Sequence, residues 1–165
     1  MRRLLALSFA AATALAFISG CTPQPASKPP VASGLDAMFE RDKLIIVSDD
    51  GARHSFDVYL ATDREQQRRG LMFVRDLPET TGMLFVYDDD AVRSMWMKNT
   101  YISLDIVFAR ADGTVSSVLH DTEPLSLSSL RAIEPVRLVL ELNAGVARRL
   151  HIGTSSRLIR EPTAD

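Results

Sequence analysis

The chain has 165 residues, 46% of them apolar and 24% charged, with a formal net charge of −2. That is enough for one hydrophobic core and too short for a two-domain enzyme of ordinary size. The charge lacks the cationic excess that a long phosphate backbone demands, and a single cysteine excludes both a disulfide framework and a cysteine-rich zinc site within the chain.

Arg2 and Arg3 precede an apolar run from Leu4 to Ile18, interrupted only by Ser8 and Thr13. The run is short for a membrane span and suits the core of a signal peptide. It ends in Ile18-Ser19-Gly20-Cys21, which resembles the bacterial lipobox. The resemblance implies that residues 1–20 are removed and that Cys21 carries lipid; more than one acyl chain gives stable anchoring. Loss of Arg2 and Arg3 with no acid leaves a mildly acidic mature chain. Thr22 rather than Asp follows the cysteine, the pattern of an outer-membrane lipoprotein facing the periplasm if the cell is diderm. Residues 21–34 then read as the lipidated cysteine and a tether, because Pro23, Pro25, Pro29 and Pro30 accompany only one large aliphatic residue, Val31. In polyproline II the tether spans up to about 40 Å at roughly 3.1 Å per residue.

A single β-rich domain is expected over residues 35–161, with 162–165 as a tail. Leu44 to Val47 is an unbroken apolar strand, covered on both faces, and Asp49-Asp50-Gly51 turns it into a second strand in which His54, Phe56, Val58 and Leu60 share a face. Thr62 and Glu65 make a capping-box spacing for a short helix closed by Gly70, with Arg68 and Arg69 complementing its dipole. Strands are predicted at Met83–Tyr87, Met95–Met97 and Leu104–Phe108. Asp112-Gly113 is a hairpin turn into Thr114–His120. Val136, Leu138, Leu140 and Leu142 mark a further strand. Asn143 is the expected cap of a second short helix containing Val146, Ala147 and Leu150, and a strand at Arg157–Arg160 closes the domain. The pattern predicts a mainly β (α+β) fold, a compact, partly closed antiparallel barrel-like sheet of six or seven strands with two short helices.

The strings Gly70-Leu71-Met72, Gly82-Met83-Leu84-Phe85, Trp96-Met97-Lys98-Asn99-Thr100, Leu104-Asp105-Ile106-Val107-Phe108 and Leu140-Glu141-Leu142-Asn143-Ala144-Gly145 resemble the domain of unknown function 192 (DUF192) family of bacteria and archaea over roughly Ile46 to Ile159. The resemblance implies an exported or lipid-anchored protein with a compact β-rich domain, and no established activity. Two departures from the family pattern are Met95, where an aromatic residue usually precedes Trp-Met, and Gln67, where Arg is common; Met95 then reads as a packing substitute.

The candidate ligand-binding residues are Trp96, Lys98, Asn99, Thr100, Asp105 and Glu141, which combine an indole with acids, an amide and an amine near strand ends. The competing reading is structural: Asn99 and Thr100 as turn residues, Asp105 paired with Lys98 or Arg137, and Trp96 as core. Asp105 and Glu141 as a carboxylate pair would serve a hydrolase acting on envelope glycans. Met72, Met83, Met95 and Met97, joined by His54 or His120, would serve Cu(I). Otherwise no metal site is read: His54, His120 and His151 lack ligand spacing, and Asp88-Asp89-Asp90 lacks the pattern of a calcium loop. No catalytic motif or cofactor signature is present. The expected function is therefore a lipid-anchored, non-enzymatic envelope module binding a small molecule, a wall glycan or a protein.

Overall fold

The computed structural model describes residues 34–160. The segment read as a signal peptide, Cys21, all of the expected tether but Gly34, and residues 161–165 lie outside the described residues. The elements in chain order are β1 (Glu40–Val47), β2 (Arg53–Ala61), α1 (Arg64–Arg69), β3 (Thr81–Ala91), β4 (Ser94–Met95), β5 (Leu104–Ala109), β6 (Val115–Leu119), β7 (Leu130–Arg131), β8 (Val136–Asn143), α2 (Val146–Arg149) and β9 (Arg157–Arg160). Seven strands form one sheet in the order β6-β5-β8-β3-β2-β1-β9, and β4 pairs with β7 as a separate ribbon.

The hairpin read at Asp49-Asp50-Gly51 is present, with Leu44 opposite Phe56 and Ile46 opposite His54. All pairs in the main sheet are antiparallel except β2 with β3, which run parallel because α1 carries the chain back between them. The sheet curls until its two outermost strands touch at one end: Thr114 bridges Arg157, Val115 N–H donates to Ser156 O at 3.0 Å and Leu158 N–H donates to Gly113 O at 2.8 Å. Gly113 permits this contact. Its φ is +85° and a Cβ there would lie 2.0 Å from the Leu158 carbonyl oxygen.

The curl divides the core in two. Residues from all seven strands, among them Ile46, Val58, Leu84, Val107, Val115, Leu140 and Leu158, meet inside the curl with Val146 and Ala147 of α2. The outer face carries a second cluster, in which Met83, Phe85, Ile106, Phe108 and Val139 of the sheet are covered by Leu35, Phe39, Leu71, Val74, Met95 and Met97. Gly82 allows β3 to approach β8, since a Cβ there would sit 2.7 Å from the Glu141 carbonyl oxygen.

Three local expectations are corrected. The cap of α1 is Asp63, not Thr62: its carboxylate accepts the N–H groups of Glu65 and Gln66 at 2.8 Å, and Gln66 answers the Asp63 N–H, because the box begins one residue later. Met95–Met97 is not a strand. Only Ser94 and Met95 pair, with Arg131 and Leu130, and the Met97 N–H bonds Ser126 O in a loop. Asn143 does not cap α2. Its amide donates to Leu77 O at 2.6 Å, while the residue before α2 is Gly145, which has no side chain to offer.

Asp105 takes the capping role from a distant strand. Fully buried, it accepts the Ala147 N–H at 2.8 Å through Oδ2 and the Asp121 N–H at 3.0 Å through Oδ1. It thereby ties β5, the loop after β6 and the first turn of α2 together. Asp105→Ala leaves two donors without their acceptor and is expected to destabilise the domain by about 1–3 kcal/mol in urea unfolding while the Trp96 emission of the folded state stays unchanged. An unchanged midpoint would contradict this role.

Candidate functional site

β-strand alternation decides which side chains meet on the outer face of the sheet. Glu141 of β8 lies in register with Met83 of β3 on one side and Ile106 of β5 on the other, so its carboxyl stands in the outer layer with Phe85 and Tyr87. Above it the covering layer is incomplete. A cavity of about 380 Å³ opens there, with Glu141, Phe85 and Tyr87 from the sheet, Arg64, Arg68 and Arg69 from α1, Met72 from the segment that follows it, and Met95, Trp96 and Thr100 from the β4 region. The α1 wall is held by the Gln67 amide, which donates to Val86 O at 3.0 Å on β3. Gln67 thus works as a brace between helix and sheet.

The Glu141 side chain is 4% exposed, and its Oε2 has no hydrogen-bond partner. Burial without a compensating donor pushes its pKa up to about 8. At neutral pH it is a neutral acid, able to donate a hydrogen bond. Burial also raises Tyr87, although the Arg93 guanidinium, 3.9 Å from the ring centroid, acts in the opposite direction; the Tyr87 hydroxyl faces Met95 Sδ at 4.0 Å.

Arg69 is committed to the fold. It donates to Met72 O and lies 5.1 Å from the centroid of the Phe73 ring, and burial lowers its pKa. Arg64 and Arg68 stand one helical turn apart on the cavity rim, with no acidic partner within ion-pair distance among the described residues.

Of the six candidate residues, Trp96, Thr100 and Glu141 come together in the cavity. Trp96 is 48% exposed, and Lys98 lies outside the lining with Nζ 5.0 Å from the indole centroid. Asn99 is a turn residue, with φ of 57°, its carbonyl accepting the Phe73 N–H at 2.8 Å and its amide directed at Met72 Sδ at 3.9 Å. Asp105 is elsewhere. It sits opposite Leu142 in register and therefore faces the inner core, on the other side of the sheet from Glu141. Its predicted partners, Lys98 and Arg137, are replaced by backbone donors and by His120, whose Nδ1 is 3.7 Å from Oδ1; Arg137 instead pairs with Asp90.

The methionines also separate. Met83 and Met97 are fully buried, and Met97 Sδ receives the Thr122 hydroxyl at 3.3 Å. Only Met72 and Met95 line the cavity, and His54 bonds Ser48 at 3.2 Å, away from it. Among the described residues no group of three or more His, Cys, Asp and Glu is placed to hold a metal ion. The sequence reading missed Arg64 and Tyr87 as cavity residues and took Arg68 and Arg69 only as complements of the helix dipole. Their spacing on α1 carried the missing signal, since positions 64 and 68 share a helix face.

The DUF192 family model, described as "Uncharacterized ACR", matches residues 45–159, and the chain belongs to that family. Five solved chains are similar. A protein of Sinorhizobium meliloti described as a "putative transcription regulator" is 36% identical, with a TM-score of 0.72 over 74% of this chain and 95% of its own. A protein of unknown function from Novosphingobium aromaticivorans is 31% identical, with a TM-score of 0.73 over 81% of this chain and 94% of its own. No curated protein gives a significant match.

The buried acid makes stability depend on pH in a stated direction. Because the folded pKa of about 8 lies above the unfolded value of 4.5, the unfolded chain loses this proton first as pH rises. The contribution of Glu141 to stability therefore declines between those values and levels off above the upper one. Glu141→Gln is expected to match the native protein near pH 4 and to exceed its unfolding free energy by roughly 3–5 kcal/mol near pH 8. Denaturant unfolding across that range checks it, and a difference that does not grow with pH would contradict the assignment.

Proposed function

We propose that this DUF192 protein is a lipid-anchored cell-envelope protein, held to the membrane through Cys21, whose β-rich domain is a non-enzymatic binding module for a small molecule. The observation that supports binding is the Glu141 carboxyl, unpartnered and buried at the wall of a cavity that also holds a half-exposed indole. A buried polar group without a partner costs stability, and an apolar residue of similar volume would be more stable there. A ligand that accepts its hydrogen bond would offset that cost.

Support for anchoring comes from Arg2-Arg3, the apolar run and Ile18-Ser19-Gly20-Cys21. In a diderm cell, Thr22 after the lipidated cysteine favours the periplasmic face of the outer membrane. Among the described residues no helix is long and apolar enough to cross a membrane. Nucleic acid is not the proposed partner, despite the description of the Sinorhizobium protein, since the net charge is −2.

A small molecule is favoured over a wall glycan or an envelope protein because the acid to be satisfied lies within a cavity of about 380 Å³, near the lower end of ligand-pocket sizes. A hydrolase would need two carboxylates facing one bond, whereas Asp105 and Glu141 stand on opposite faces of the sheet. For Cu(I), Met72 and Met95 are the thioethers in the cavity, each facing a donor of its own, Asn99 and Tyr87.

Purified full chain, incubated with the low-molecular-weight fraction of envelope extract, is expected to retain a discrete adduct in native mass spectrometry. The adduct should be lost from Glu141→Leu and Trp96→Ala. No adduct, together with unmoved Trp96 emission, counts against a binding module. Cys21→Ser is expected to move the protein from the membrane pellet to the soluble fraction; continued sedimentation after a high-salt wash would overturn the anchor.

A further inference from the structure

We infer that the cavity takes a small organic acid with an apolar body, its carboxylate seated on Arg64 and Arg68 at the rim and a carbonyl or hydroxyl oxygen facing the Glu141 carboxyl. This rests on the binding-module reading and names the class of ligand. Arg64 and Arg68 lie at i and i+4 on α1, so their side chains share one face of the helix, and both line the cavity. Arg110, Arg137, Arg148, Arg149 and Arg160 each have an acidic partner; among the described arginines without one, which include Arg53, Arg75, Arg131 and Arg157, these two line the cavity together. Paired guanidinium groups recognise a carboxylate through short, charge-assisted hydrogen bonds.

The lining between rim and carboxyl wall is mixed, with Gln67, Ser94 and Thr100 beside an apolar part. In that part Phe85, Tyr87, Met72, Met95 and Trp96 offer ring faces and thioethers, which suit a flat or branched hydrocarbon body. The volume of about 380 Å³ lies near the lower end of ligand-pocket sizes and limits the occupant to a small molecule. At the inner end the Glu141 carboxyl lines the cavity without a hydrogen-bond partner among the described residues, its Oε2 buried, and a ligand oxygen reaching that carboxyl is the group that satisfies it.

The test uses three ligands of matched size, measured by calorimetry on the purified full chain. Benzoylpropionate carries a ring, a ketone and a carboxylate; phenylbutyrate lacks the ketone; butyrophenone lacks the carboxylate. Benzoylpropionate is expected to bind at least about tenfold more tightly than either of the others. The Arg64→Ala/Arg68→Ala double variant should abolish its advantage over butyrophenone and preserve its advantage over phenylbutyrate. Glu141→Leu should do the reverse, and Glu141→Gln, which keeps a donor, should retain both. Equal binding of all three ligands overturns the organic-acid inference and leaves a general pocket binder. No binding of any, with an adduct still retained from envelope extract, overturns the ligand class alone; no binding and no adduct overturns the binding module as well.

Discussion

Thr114 and Arg157 bridge the two outermost strands of the sheet, and the curl that brings them together leaves the main strands with cores on both sides. The inner core takes residues from every strand of the sheet, and the outer one needs a cover, supplied by the N-terminal turn, the segment after α1 and the loops around β4 and β7. In a sheet buried on both faces, neighbouring residues along a strand belong to different cores. Glu141 and Leu142 are such neighbours. The first faces the outer layer and its cavity, and the second faces the inner core beside Asp105.

Asp105 and Glu141 show how position on one sheet separates two buried acids. Asp105 meets two backbone N–H donors and becomes a tie between β5, α2 and the loop after β6. Glu141 is in register with Met83 and Ile106, which offer no donor, so desolvation governs it and the acid is held neutral. A neutral acid is a hydrogen-bond donor at the pH of most compartments. That chemical difference follows from burial and partners rather than from the residue type, and it makes the outer-face acid the one suited to a ligand.

Much of the fold is legible along the chain. Alternation in Phe56, Val58 and Leu60, and again in Leu104, Ile106 and Phe108, marks strands because a sheet presents side chains with period two. Asp49-Asp50-Gly51 and Asp112-Gly113 mark turns because Gly51 and Gly113 both adopt positive φ. The two-residue strands β4 and β7 are too short to carry a period, and their pairing is a contact between distant segments. The cap of α2 escaped for the same reason: its acceptor stands about forty residues earlier, on β5. For the candidate site, Trp96, Thr100 and Glu141 were legible as residues of unusual chemistry in apolar surroundings. Arg64 and Tyr87 were not, since each looks ordinary until the strap after α1 folds over the sheet.

By itself the sequence determined the β-rich class, the two main hairpins, the two short helices and the family, because local periodicity, turn chemistry and motif strings are properties of neighbouring residues. Only the tertiary structure decided which residues share a face of a sheet covered on both sides. Alternation says that Asp105 and Ile106 point in opposite directions, yet it does not say which of them Glu141 stands beside. That depends on the register of β5 against β8, where Ile106 faces Glu141 and Asp105 faces Leu142, a pairing set by the packing of two cores rather than by either strand alone.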